Sequence, residues 1–135
     1  MKIDLFGKIY ITLMSVYFTT SGINALMDIE AKLARIGLAA IDSDGKIAFI
    51  LIYCSLMVGL GIAVAAFYFV TKTWRYSAML ATIIIISFIV FRFIGAFIVG
   101  EMSHTQVSFI AVELIEVSIG VYLLSQASSL KPKVV

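Results

Sequence analysis

Three side chains in this sequence carry charge where their neighbours carry none: Arg92 in the run FIVFRFIGAFIVGE, and Glu113 and Glu116 in the run FIAVELIEVSIG. A guanidinium stays protonated at any physiological pH. A carboxylate is its natural partner, because the planar fork can hold both oxygens by parallel hydrogen bonds. Glu113 and Glu116 lie three residues apart and so share one side of a helix, a side that also takes in Gln106 and Gly120. One arginine cannot neutralise two carboxylates. With Glu113 paired to Arg92, Glu116 must be protonated, meet water, or find hydroxyl and amide donors. Tyr10, Tyr17, Ser21 and Asn24 recur at intervals of seven, four and three, a polar stripe on one helix that would supply such donors. Tyr53, Cys54 and Ser55 offer a second set. The expected ligand or proton site is Arg92, Glu113, Glu116, Tyr17, Asn24 and Tyr53.

The elements that must position these groups follow from composition. Of 135 residues, 62% are hydrophobic and 13% charged, with a single proline and a mean hydropathy of +1.11. That balance belongs in a bilayer rather than in an ordinary soluble domain. A spanning helix needs about 20 mostly apolar residues. Four stretches meet that length, at about residues 5–27, 47–71, 76–100 and 105–125. These are continuous apolar runs rather than short alternating ones, so strands closing a barrel are excluded. The expected fold is an all-α membrane protein, a single four-helix transmembrane bundle over residues 1–135. Lys2 and Lys8 ahead of an apolar stretch resemble the start of a signal peptide, but about 19 charge-free residues exceed a signal core of about 7 to 15, so a retained first span is expected.

Depth then matches the charged groups. If the third helix ends near Gly100, Arg92 lies about 12 Å below that end at about 1.5 Å per residue. On a fourth helix returning from about Gln106, Glu113 lies at about 10 to 11 Å and Glu116 at about 15 Å. Gly95, Ala96 and Val99 fall on the same side as Arg92, and their small size would admit a neighbouring backbone. Gly61 with Ala65, and Ala96 with Gly100, are further pairs of small residues four apart.

Orientation comes from lysines and arginines in short connections. Lys2, Lys8, Lys72, Arg75, Lys131 and Lys133 place both termini in the cytoplasm, whereas Lys32, Arg35 and Lys46 in the first connection argue the reverse. That connection, DIEAKLARIGLAAIDSDGK, carries Ile29, Leu33, Ile36 and Ala40 at helical spacing. It is expected to form a short amphipathic interfacial helix between the first two spans, at about residues 29–41, ended by Gly45. The stretch D-S-D-G is read as a solvated turn, because an EF-hand loop needs more oxygen ligands and an acidic twelfth position. Trp74 and Tyr76 are expected to anchor at the cytoplasmic interface, and Pro132 to lie in a cytoplasmic tail.

Several chemistries are excluded by inventory. His104 is the only histidine and Cys54 the only cysteine, so a bis-histidine haem, a four-cysteine iron-sulfur cluster and an intrachain disulfide are all out of reach. Glu101, Met102 and His104 are too loosely spaced to be read as a metal site. No phosphate loop, nucleophile elbow or metalloprotease motif is present, so neither an enzyme nor a cofactor is expected. The net charge of +2 is accounted for by topology and lipid headgroups, not by nucleic acid.

The run Arg92, Phe93, Ile94, Gly95 on a third helix, followed by Glu113 on a fourth, and Tyr53 followed by Gly59 and Gly61 on the second, resembles the small four-helix DoxX-like membrane proteins over about residues 5–124. Relative to that pattern the chain lacks a proline soon after the first helix, carries Cys54 and Ser55 where glycines are usual, and adds Glu116. The resemblance implies a bundle in a bacterial inner membrane, and it admits a quinone-linked role through the name-giving members' association with a thiosulfate:quinone oxidoreductase.

Two functional classes follow. In the first, a self-associating membrane protein binds a proton, an ion or a small amphipathic molecule at the Arg92, Glu113 and Glu116 cluster. In the second, the chain is an accessory subunit of a larger membrane complex, and the charges only fix which helix faces which, as interhelical polar contacts worth on average about 0.6 kcal/mol can do. A third class is a quinone-binding redox partner, with Tyr17 and Tyr53 beside the headgroup. Four helices enclose too narrow an interior for a pore, so transport would require an oligomer.

Overall fold

A computed structural model describes residues 2–129, all helix and short connections with no strand among them. Helix α1 spans Lys2–Met27 and α2 Ile29–Arg35; α3 (Ser43–Phe49) runs without interruption through a π-helical segment, Ile50–Ser55, into α4 (Leu56–Thr71). Helices α5 (Trp74–Val99) and α6 (His104–Ser129) complete the chain. Four of these rods are long and apolar enough to cross a membrane: α1, the continuous helix Ser43–Thr71, α5 and α6. Lys131, Pro132 and Lys133, which entered the orientation and tail arguments, lie outside the described residues.

The boundaries follow local chemistry. Asp28 caps α2 by accepting from the Ala31 amide at 3.0 Å. The helix stops at Arg35 rather than continuing to about residue 41, because Gly37 adopts φ +75° and closes a Schellman motif, with Gly37 N–H donating to Ala34 O (3.1 Å) and Leu38 N–H to Leu33 O (2.9 Å). Gly45 therefore does not end the interfacial helix. It sits in the first turn of α3, where its N–H donates to Asp42 Oδ1 at 2.9 Å, so D-S-D-G is a helix start and not a slack turn. Gly100, at φ +84°, ends α5 by donating to Ala96 O at 2.8 Å.

The four rods pack in a ring order α1, α4, α5, α6, with α1 and α5 also touching across the middle. One half of the bundle is closed. There Tyr10, Met14 and Phe18 of α1 meet Val64 of α4, Ala78, Ala81 and Ile85 of α5, and Leu123 of α6. Close approach of α1 and α4 depends on Gly61: a Cβ there would lie 2.7 Å from Ser15 O, and Ser15 Oγ donates to Gly61 O at 2.8 Å. Trp74 is not an outward anchor. It is buried against Gly7 and donates from Nε1 to Asp4 Oδ1 at 3.0 Å, while Tyr76 is exposed.

The other half is splayed. Every fully buried residue of α5 lies between Trp74 and Ile85, and the second half of the helix, although as apolar, buries none. A Cβ on Gly95 would meet nothing within 4 Å, and Gly100 is exposed at the helix end. The small residues beside Arg92 therefore do not seat another helix of this chain, which corrects the expectation drawn from their size. The α5–α6 hairpin diverges from α1 and α4, and a wedge opens at the end where α2 lies.

Candidate functional site

The wedge is floored and walled by the residues that the sequence marks as chemically unusual. Arg92 projects from the diverging half of α5, and Glu113 from the facing side of α6. Arg92 Nε donates to both carboxylate oxygens of Glu113, at 3.0 Å to Oε1 and 3.1 Å to Oε2, and Nη2 lies 2.9 Å from Oε1. This side-on fork is the geometry in which guanidinium and carboxylate match best. Nη1 donates to Gln106 Oε1, about two turns nearer the start of α6 than Glu113, and the guanidinium lies 4.9 Å from the centre of the Phe109 ring. Gln106, Phe109 and Glu113 are spaced three and four apart, so a single face of α6 grips the arginine from three sides. Glu113 is 5% exposed, whereas about a quarter of the Arg92 side chain remains accessible, on the side of the wedge.

Above the pair the wedge widens into a chamber of about 750 Å³. Its α1 wall is Tyr17, Ser21 and Asn24, three members of the polar stripe, and the π-helical segment contributes Tyr53. A π-helical turn rotates the side chains that follow it relative to a regular helix. Here it turns Tyr53 into the chamber and sends the adjacent Cys54 into a separate apolar cluster with Ala25, Leu33 and Phe49. Ser55 is exposed and belongs to neither. Phe88 and Phe109 supply apolar walls from the hairpin, and α2 roofs the space with Asp28, Lys32 and Arg35. The roof is held by its other face, where Ile29, Leu33 and Ile36, together with Ala40 beyond the helix, pack on the Cys54 cluster.

Five of the six expected site residues, Arg92, Glu113, Tyr17, Asn24 and Tyr53, therefore line one chamber. Glu116 does not. Three residues along a helix is a turn of about 300°, and on α6 that offset points Glu116 into a different seam, the groove of about 1090 Å³ between α1 and α6. Its Oε2 is buried without a hydrogen-bond partner among the described residues. Tyr10, the expected donor, is committed elsewhere. Its hydroxyl lies 3.3 Å from both Thr82 Oγ1 and the Glu116 backbone carbonyl, and since Thr82 donates its own proton to Ala78 O at 2.7 Å, the single phenol proton is shared between these two acceptors. The single centre expected from four converging polar faces is thus two places: a paired, chamber-facing cluster and a separate carboxyl in a groove.

In the sequence Lys32 and Arg35 bear only on orientation, yet they line the chamber. Their spacing from Asp28, four and seven residues, was the available signal: it puts all three on one face, beside the apolar one. Phe88 and Phe109 could not have been singled out, since the chain has 10 phenylalanines and most stand in apolar runs. Among the described residues no cluster of histidine, cysteine, aspartate and glutamate is arranged to hold a metal ion. No family model, curated protein or solved structure matches this chain.

Proposed function

We propose that the protein is a small integral membrane protein, with both termini on the cytoplasmic side of a bacterial inner membrane, whose chamber binds a small amphipathic molecule. The resemblance to DoxX-like proteins is part of this proposal and rests on the Arg92, Gly95, Glu113 and Tyr53 pattern. One observation carries the binding reading: the apolar helices diverge to leave about 750 Å³ beside an already neutralised charge pair. The pair fastens α5 to α6, and the space opens beside that hairpin, between it and α1 and α4. A volume of this size falls within the range of about 300 to 1,000 Å³ that accommodates small molecules. The Arg92 and Glu113 pair sets the polarity of the chamber floor and holds the hairpin at its angle.

Native mass spectrometry of the protein released in mild detergent tests this. The expected result is a small molecule retained by the parent chain and lost from Ser21→Trp, which fills the chamber. A parent chain carrying nothing beyond detergent contradicts the proposal.

A second reading, association with another copy or a larger membrane complex, is favoured by the α1–α6 groove with the unpartnered Glu116 oxygen. The same spectrum separates the two, since an accessory subunit emerges with a protein partner's added mass.

A further inference from the structure

The chamber neutralises its deep charges and leaves its shallow ones open. At the floor, Glu113 holds Arg92. On α2, Glu30 is taken up by Lys46, and neither of these residues lines the chamber. Asp28 lies at the rim but is engaged as the cap of α2, where the first turn's amides favour its charge. Lys32 and Arg35 remain. Both line the chamber, and neither has a carboxylate partner among the described residues; the Lys32 ammonium instead lies 5.0 Å from the centre of the Tyr53 ring. Counting every charged lining residue, Lys32, Arg35 and Arg92 stand against Asp28 and Glu113, which leaves one positive charge in excess.

Below the two cations comes a band of polar groups that make no hydrogen bond among the described residues: the hydroxyls of Tyr17, Ser21 and Tyr53 and the amide of Asn24. Measured from the end of α1 at Met27, Asn24, Ser21 and Tyr17 lie about 4.5, 9 and 15 Å down the helix. Phe88 and Met57 close the space beside them. At about 30 Å³ for each water-sized group, about 750 Å³ holds about 25 heavy atoms. That is room for one chain and one headgroup. Cations at the rim with donors below them suit an anionic headgroup, and Ile52, Leu56, Met57 and Phe88 give one apolar chain a wall to lie along.

We infer that the chamber holds an amphiphile with one apolar chain and one anionic carboxylate or phosphate headgroup, the headgroup gripped by Lys32 and Arg35 and the chain running toward Tyr17 and Phe88. This rests on the reading of the chamber as a binding site and adds the charge and shape of what it binds. The excess positive charge of the lining is cancelled when such a headgroup enters, and no protein carboxylate need be displaced.

The test is a titration of the full chain in phosphatidylcholine nanodiscs with a fluorescent dansyl-undecanoate probe, blanked against empty nanodiscs. The probe is displaced by dodecanoate, dodecyl phosphate, dodecanol or dodecyltrimethylammonium. Dodecanoate and dodecyl phosphate are expected to displace it at one site per chain, with dodecanol far weaker and the cation inactive. Lys32→Gln combined with Arg35→Gln is expected to weaken anion binding about 30-fold, the weight of two interfacial cations. Lys46→Gln, outside the chamber, leaves it unchanged.

Equal displacement by dodecanol and dodecanoate, both abolished by Ser21→Trp, overturns the anionic assignment while leaving a binding chamber. Absence of any saturable site removes both. The ligand series on the parent chain decides these outcomes even if a variant misfolds. Replacing a quarter of the disc lipid by anionic phosphatidylglycerol tests the source of the headgroup: retained dodecanoate binding supports a free single-chain amphiphile, and its loss to the two-chain lipid overturns the one-chain assignment.

Discussion

Arg92→Met removes the only cation within hydrogen-bonding reach of Glu113 among the described residues, and Glu113 is 5% exposed. The stranded carboxylate is then a buried charge without a partner, and breaking a buried pair on one side costs about 3 to 5 kcal/mol. Arg92→Met should therefore lose about 3 to 4 kcal/mol, well above the roughly 0.6 kcal/mol average for interhelical polar contacts. Arg92→Met with Glu113→Leu leaves no buried charge and should recover all but about 1 kcal/mol. The assay is unfolding by dodecyl sulfate in mixed micelles, followed by circular dichroism. A loss below about 1 kcal/mol, or a double variant as weak as the single one, would refute the pair's role.

Two glycines on one helix should behave in opposite ways. Gly61→Ala forces a Cβ to within 2.7 Å of Ser15 O and should cost about 1 to 3 kcal/mol in the same assay, whereas Gly59→Ala meets open space and should be neutral or gain about 0.5 to 1 kcal/mol. Gly37→Ala places a side chain at φ +75° and should loosen the roof at a cost of about 1 kcal/mol, read as faster amide exchange across Ile29–Arg35 with α5 unaffected. If exchange at α2 does not change, the Schellman turn is not what holds the roof in place.

The architecture was legible because the solvent requirement of a spanning helix leaves few alternatives, and four long apolar runs leave one helical arrangement of rods. Arg92 and Glu113 were legible for the same reason: at matching depths on consecutive antiparallel helices, a cation and an anion find one another. Glu116 was misplaced because a shared face is about 60° wide at a spacing of three, enough for one carboxyl to enter the wedge and the next to enter a neighbouring seam. The divergence of α5 from α1 has no local signature. Residues after Ile85 are as apolar as those before it, and only the shapes of all four surfaces together decide where packing stops. The end of α2 was written in the sequence at Gly37, but Gly45 competes for the same role and is instead consumed by the Asp42 cap. Small residues near Arg92 promised a close contact that Gly95 does not make, because small size permits an approach without compelling it.

Binding in the chamber requires that the wedge between α1 and the α5–α6 hairpin be open and filled by something other than protein. A density map of the protein isolated in a patch of its own membrane measures this directly. It is expected to show Arg92 forked onto Glu113 and an elongated feature running from Lys32 and Arg35 down to Tyr17. A hairpin closed against α1 with no space above the pair, or Arg92 turned out into the acyl chains, would contradict it.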